Sequence, residues 1–241
     1  MPRNNFAEVI DPIERKPTAS LVGTIVDRLE GMIIGGQIAS GEKLNEYVLA
    51  QQLQVSRTAL REAVRLLEHS GLVTILQNRG VFVRKVNLGE ALDLFDVRAG
   101  LAYSAGRLAA VRATDAQIDE LRRLHEGMVE ACRARDINTY YELNLQFHST
   151  IMTSSGNERL KCLYEMMSNE LHLFRRRNLG QSAQLEMSIR EHGKIVDAIA
   201  AHDPRKAARA FEQHVLDGKQ RMLDTLSPNS ARELGSFGND R

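Results

Sequence analysis

The residue pattern predicts a mainly α-helical chain in two parts. An N-terminal domain is built on two short helices, a tight turn and a β-hairpin, and a C-terminal region is an all-α bundle. Three observations carry this. Residues 45–68 hold two apolar helical stripes separated by a Val-Ser turn signal. Residues 72–85 hold two short runs rich in β-branched residues with a polar turn between them. Beyond residue 86, strand-like alternation ends and apolar residues recur at helical spacing between capping signals.

In the first of these segments, Val48, Leu49 and Leu53 mark the inner face of one helix, and Val55 fills the turn. Ser56 is a suitable N-cap for the second helix, because its hydroxyl can accept from an unpaired backbone N–H of the first turn. Leu60, Val64 and Leu67 give that helix a single apolar stripe, while Arg57, Arg61 and Arg65 recur every fourth residue on another face. Such a helix suits the major groove of DNA, where Arg bonds guanine bidentately or holds a phosphate. The same spacing is also what an ordinary solvated helix face presents. Gly71 ends the helix. LVTIL (72–76), a turn over Gln77 to Gly80 and VFVRK (81–85) then predict a hairpin with Arg79 at its tip and Arg84 and Lys85 at its end. Residues 43–85 carry seven Lys or Arg against three acids, although the whole chain is only +1. Positive charge thus concentrates where a nucleic-acid module needs it.

The C-terminal region reads as six helices. Residues 88–110 carry apolar side chains at 88, 92, 95, 101, 105 and 108. Thr114 with Gln117 forms a capping-box pattern opening a helix to about Arg135. Ile137 to about Ser154 follows, closed by Ser155-Gly156, and Asn157 caps a helix to about Asn178. After a break at 179–183 a fifth helix reaches about His202. Asp203 followed by Pro204 is an N-cap with Pro at the first helical position, and the last helix reaches about Leu226. Short breaks between helices make a bundle of residues 86–228. Residues 19–85 form the first domain, 1–18 a flexible arm and 229–241 a flexible tail.

Composition sets bounds on class. The 241 residues suffice for two modest domains with separate cores, and 43% hydrophobic with 26% charged residues is ordinary for a globular chain. No apolar run approaches the ~20 residues that span a bilayer, and the first residues lack the continuous apolar segment of a secretory signal. A cytoplasmic protein is expected. Cys132 and Cys162 lie in separate helices and read as reduced thiols that serve as packing residues.

Three of the seven histidines can be grouped with one asparagine. Asn144 and His148 are four apart on one helix face, and His192 and His214 sit mid-helix in the fifth and sixth bundle helices. Imidazole nitrogens from three helices and one side-chain oxygen could close around a divalent metal. The alternative is that each mid-helix histidine is a satisfied core residue or a half-exposed one. Arg98, on an apolar helix, is either an ion-pair partner of an acid on another helix or a clamp for a carboxylate. Of Arg175, Arg176 and Arg177, spread over about 200° of helical arc, one could also face inward.

Long ordered motifs now permit a resemblance. Residues 19–85 resemble the winged helix-turn-helix domain of the GntR family of bacterial regulators. The match lies in I-x-x-G-x-I-x-x-G-E-K-L (Ile33 to Leu44), V-S-R-T-x-L-R-E-A (Val55 to Ala63), L-E-x-x-G-L-V (Leu67 to Val73) and R-G-x-F-V (Arg79 to Val83). The resemblance implies DNA contacts from Ser56, Arg57, Thr58 and Arg61, with Gly80 at the wing. Tyr47 stands where some relatives carry a basic residue. Residues 88–226 resemble the FCD effector domain of the FadR subfamily, through L-F-D-V-R-A-G-L with Arg98, N-L-Q-F-H with Asn144 and His148, S-S-G-N-E-R-L from Ser154, E-H-x-x-I-V-D-A-I with His192, and H-D-P-R-K-A-A leading to His214. That domain often binds zinc or nickel through one Asp and three His below a carboxylate pocket. Here the three His match, but Asn144 takes the Asp position and Ala102 a position where relatives usually have Glu. A neutral amide ligand should weaken metal affinity.

These readings converge on a ligand-responsive regulator. Two copies in a homodimer would read successive major grooves of double-stranded operator DNA through Ser56, Arg57, Thr58, Arg61, Arg65, Arg79 and Gly80. The resemblance implies repression relieved by a small carboxylate, bound through the metal and Arg98. A metal-ion sensor is the second reading, and anionic ligands would favour it more than Asn144 does. A metalloenzyme is the third. It would need an acid or base beside the metal, and Glu191 points about 100° away from His192 on its helix.

Overall fold

A computed structural model of the chain describes residues 20–175 and 183–225. The arm, the tail and the segment with Arg176 and Arg177 lie outside the described residues, as do the expected helix ends at Asn178 and Leu226. The described chain falls into two compact units that divide between Val86 and Asn87.

The first unit begins with α1 (Leu21–Ile34), a helix that none of the motifs above marks. Ser20 caps it by accepting from the Gly23 N–H, and Ile25, Leu29, Met32 and Ile33 are buried along it. Next come β1 (Lys43–Leu44), α2 (Glu46–Gln52), α3 (Arg57–His69), β2 (Val73–Leu76) and β3 (Gly80–Val83). Asn45 caps α2, and Ser56 caps α3 by accepting from the Ala59 N–H at 3.1 Å. The sharp reversal between them places Gln54 at φ 54°. Leu49, Leu53, Leu60, Val64 and Leu67 are almost fully buried, and α3 packs against α1. Each such leucine contributes roughly 1.5–3 kcal/mol relative to an exposed one.

The hairpin forms with Val73 opposite Val83 and Leu76 opposite Gly80. The sheet has a third strand that the hairpin pattern did not announce. β1 pairs with β3, giving the order β1-β3-β2. Two residues carry too little alternation to register as a strand in sequence. At the turn, Gly80 has φ +105°, where any side chain would be strained.

The second unit consists of α4 (Leu88–Arg112), α5 (Asp115–Arg133), α6 (Ile137–Ser154), α7 (Glu158–Arg175), α8 (Ala183–Ala200) and α9 (Pro204–Thr225). The caps fall at the expected positions. Thr114 and Gln117 form a reciprocal box, Asn157 accepts from the Leu160 N–H, and Asp203 accepts from the Lys206 N–H. A further capping box, Asn87 with Glu90, starts α4.

The buried stripe of α4 differs from expectation. Ala91, Phe95, Arg98, Ala99, Ala102, Ala105, Gly106 and Ala109 face inward, whereas Leu92, Leu101 and Leu108 are only half-buried. The reason is close approach. α4 makes its most extensive contact with α9, and a Cβ on Gly106 would lie 2.5 Å from the Ala207 carbonyl oxygen. Small residues define that face, so a pattern read from large apolar side chains is rotated from the true one. Cys162 also departs from expectation. It is exposed and Cys132 half-buried, so Cys162 is not a packing residue.

Candidate functional site

In the first unit, the exposed side of α3 carries Arg57, Thr58, Arg61 and Arg65, all solvent-facing, with Ser56 at its N-terminal end. The Ser56 hydroxyl uses a lone pair as the cap and keeps its hydrogen for a further acceptor. Arg61 Nε lies 3.4 Å from Glu46 Oε1, and its side chain is 58% exposed. An exposed pair of this kind is worth about 0–1 kcal/mol, so a phosphate can displace it. Arg79 is exposed at the wing turn, where it donates its backbone N–H to the Leu76 carbonyl. Lys43, on β1, lies under Gly80 and over the Phe82 ring at 5.8 Å.

In the second unit, His148 on α6, His192 on α8 and His214 on α9 are buried and gathered into one cluster. His214 Nε2 lies 3.2 Å from His192 Nε2 and 3.3 Å from His148 Nε2. Phe147 packs on His192 with ring centroids 4.8 Å apart, and Phe211 stacks on His148 at 5.4 Å. Asn144 is half-buried one turn before His148.

This donor set fits a metal. Nitrogens at the ~2.0–2.1 Å of a tetrahedral zinc site stand about 3.3 Å apart, which is the spacing from His214 Nε2 to each of its two partners; all three ligand nitrogens lie within 4.8 Å of one another. Hydrogen bonding alone does not satisfy the cluster. His214 Nε2 faces both His192 Nε2 and His148 Nε2, so the inward nitrogens compete for the same hydrogens; on the outer side of its ring, His192 Nδ1 is buried without a hydrogen-bond partner. A cation accepting three lone pairs resolves that competition. Burial, then the neighbouring His214 and His125 rings, hold the His192 pKa well below the ordinary imidazole value, so its lone pair is available at neutral pH.

Two of the three imidazole rings have the outer nitrogen held. Glu191 Oε2 lies 2.8 Å from His214 Nδ1, and Arg221 clamps the same carboxylate at 2.5 and 2.8 Å. Tyr164 Oη lies 3.3 Å from His148 Nδ1 and accepts from Arg98 Nη2 at 2.7 Å. Arg98 is 6% exposed, its guanidinium carbon sits 4.4 Å from the centre of the Tyr164 ring, and its Nε is buried without a hydrogen-bond partner. An ion connected to His148 would therefore be joined through one phenol to the guanidinium.

Glu191 was expected to point about 100° away from His192 on its helix. It does diverge from His192 on α8, but it reaches the outer nitrogen of His214 on α9. Glu191, Arg221 and Tyr164 are the members that sequence reasoning missed. Arg221 is seven residues after His214, hence on the same face of α9, and that spacing was a usable signal. Nothing in sequence pointed to Tyr164. The side chain of Arg175 lies outside the described residues.

Among the described residues no helix is long and apolar enough to cross a membrane. The bacterial gntR-family regulatory-protein profile matches residues 21–83, and the FCD domain profile matches residues 93–217. The Nta operon transcriptional regulator of Aminobacter aminovorans is 32% identical over 197 residues, spanning 81% of this chain and 91% of that protein. The Glc operon transcriptional activator of Escherichia coli strain K12 is 28% identical, spanning 88% and 91%. Among solved structures, E. coli McbR/YncC superposes with a TM-score of 0.72 at 21% identity, covering 86% of this chain and 99% of that one, and shows the shared fold. With both halves accounted for, the chain belongs to the GntR family of bacterial regulatory proteins, in the FadR-like group, and is a transcriptional regulator that joins a DNA-binding helix-turn-helix to an FCD effector domain.

Proposed function

We propose that this regulator senses a small carboxylate through a metal-containing FCD domain and thereby adjusts its hold on operator DNA. The observation that carries the reading is the convergence of three imidazole nitrogens on one point, with the buried Arg98 guanidinium one phenol away. His148, His192 and His214 hold a divalent ion, zinc or nickel, with Asn144 as a weaker fourth ligand. When bound, the ion is a Lewis acid that accepts a carboxylate oxygen. Arg98 offers a planar fork to the same carboxylate. Tyr164 already occupies one of its donors, so the ligand competes with or joins that phenol.

At the DNA end, Ser56, Arg57, Thr58, Arg61 and Arg65 read or grip the major groove, and Arg79 with Gly80 approaches the backbone beside it. A cytoplasmic homodimer places two such heads on a near-palindromic site. Effector and DNA affinity are then linked reciprocally, with release of DNA on effector binding as the proposed sign. A metal-sensor reading gains less support, because the innermost ligand set lacks a carboxylate.

The test is a thermal-shift series of small carboxylates on zinc-loaded protein, wild type beside Arg98→Ala. A ligand at a hundred times its dissociation constant stabilises the wild type by about 2.7 kcal/mol. The variant should lose that shift and keep its DNA affinity. An Arg98→Ala protein that responds as the wild type does sinks the clamp.

A further inference from the structure

A neutral imidazole has one protonated and one bare nitrogen, and a metal needs the bare one. What the outer nitrogen binds decides which is which. A carboxylate can only accept. Glu191 Oε2, 2.8 Å from His214 Nδ1, therefore requires the hydrogen on Nδ1 and leaves Nε2 bare toward His148 and His192. We infer that Glu191 is the positioning residue of the metal centre, fixing the His214 tautomer and supplying from one bond further out the negative charge that Asn144 does not. This rests on the metal reading above.

Three further observations support it. The carboxylate is itself fixed. Arg221 grips both its oxygens, and the two side chains are only 12% and 13% exposed. The three ligands are also unequal. The outer nitrogen of His148 meets a neutral phenol, and that of His192 has no hydrogen-bond partner. Of the contacts found on these rings' outer nitrogens, the anionic one is therefore at His214. Finally, Glu191 adjoins His192 on α8, so one dipeptide provides an inner ligand and the anchor of a second ligand on α9. The buried pair with Arg221 also tempers the carboxylate. Removing Arg221 leaves Glu191 more electron-donating toward the ring.

The experiment measures zinc affinity by competition with a chromophoric chelator for wild type, Glu191→Gln, Arg221→Met and the Glu191→Gln/Arg221→Met double variant. Thermal unfolding of each zinc-free protein is followed alongside, and 15N imidazole spectra report the His214 tautomer. Glu191→Gln should lower affinity by about 10–100-fold and weaken the preference for Nδ1–H, while Arg221→Met holds or tightens zinc. The double variant leaves no stranded cation. It should bind more weakly than Arg221→Met by a similar factor, which keeps the comparison valid if the single Gln variant unfolds. A purely structural ion pair predicts equal losses in Glu191→Gln and Arg221→Met, and that result overturns the inference, as does Glu191→Gln binding within twofold of wild type. Wild-type protein that takes up no zinc overturns the metal reading itself, and the inference with it.

Discussion

Substituting Gly106 by Ala tests whether the bundle is built on close approach of α4 and α9. Two effects oppose each other. Ala favours a helix interior over Gly by about 1 kcal/mol. Against this, the new Cβ would lie 2.5 Å from the Ala207 carbonyl oxygen, 2.9 Å from its carbon and 3.2 Å from the Ala208 Cα. All three are main-chain atoms, so no side-chain rotation relieves the contact. Reaching even a tolerable 3.0 Å moves the helices apart by about half an ångström. Overpacking of this kind costs about 1–3 kcal/mol, and with rigid backbone on both sides the upper half of that range applies. The net expectation is a loss of about 1–2 kcal/mol, or about 3–8 °C in Tm for a domain of this size. His214 lies two turns beyond Ala207 on α9, so zinc affinity should fall as well. Gly100 is the control, because a Cβ there meets nothing within 4 Å, and Gly100→Ala should raise Tm. The assay is thermal unfolding of chelator-treated protein for both variants. A Gly106→Ala protein as stable as Gly100→Ala would refute the packing argument.

Other perturbations address the site and the reading head. His192 stays neutral when folded to a pH well below its ordinary value, whereas the unfolded chain protonates it near about 6.5. The unfolded state therefore binds more protons in that window. Stability of metal-free protein is whole above about pH 6.5 and falls as pH drops below it; urea midpoints across this range should fall less steeply for His192→Asn. Arg61→Ala should cost about 1–3 kcal/mol of specific DNA binding if the guanidinium reads a base, and a titration of operator fragments with the Arg57→Ala/Arg61→Ala protein that matches wild type would exclude α3 as the reader. Asn144→Asp adds a charge beside His148 and should tighten zinc in the same chelator competition; an unchanged or weaker affinity removes position 144 from the ligand set.

Local signals were legible where one residue type answers one backbone need. Ser56, Thr114, Asn157 and Asp203 each satisfy unpaired helix N–H groups and sit at the helix starts that sequence indicated. The three histidines could be grouped from their mid-helix positions, but those positions fit ordinary core residues equally well, and it was the resemblance to the FCD domain that set them together as one site. Tertiary relations were not. The two-residue β1 depends on β3 for its existence, and the inward face of α4 is set by what α9 tolerates rather than by hydrophobicity. Glu191 looked misdirected because helical angles relate residues within α8 and say nothing of α9, where its partner lies. Tyr164 joins Arg98 to His148 across three helices, a relation carried by no spacing in the chain.

The claim at the centre of this account is that the imidazoles of His148, His192 and His214 hold one ion. The direct measurement is elemental analysis of protein loaded with zinc and passed through gel filtration, wild type beside the His148→Ala/His192→Ala/His214→Ala variant. One zinc per chain in the wild type and essentially none in a folded triple variant is the expected result. A wild type that emerges free of zinc, or a triple variant that retains it, would contradict the account.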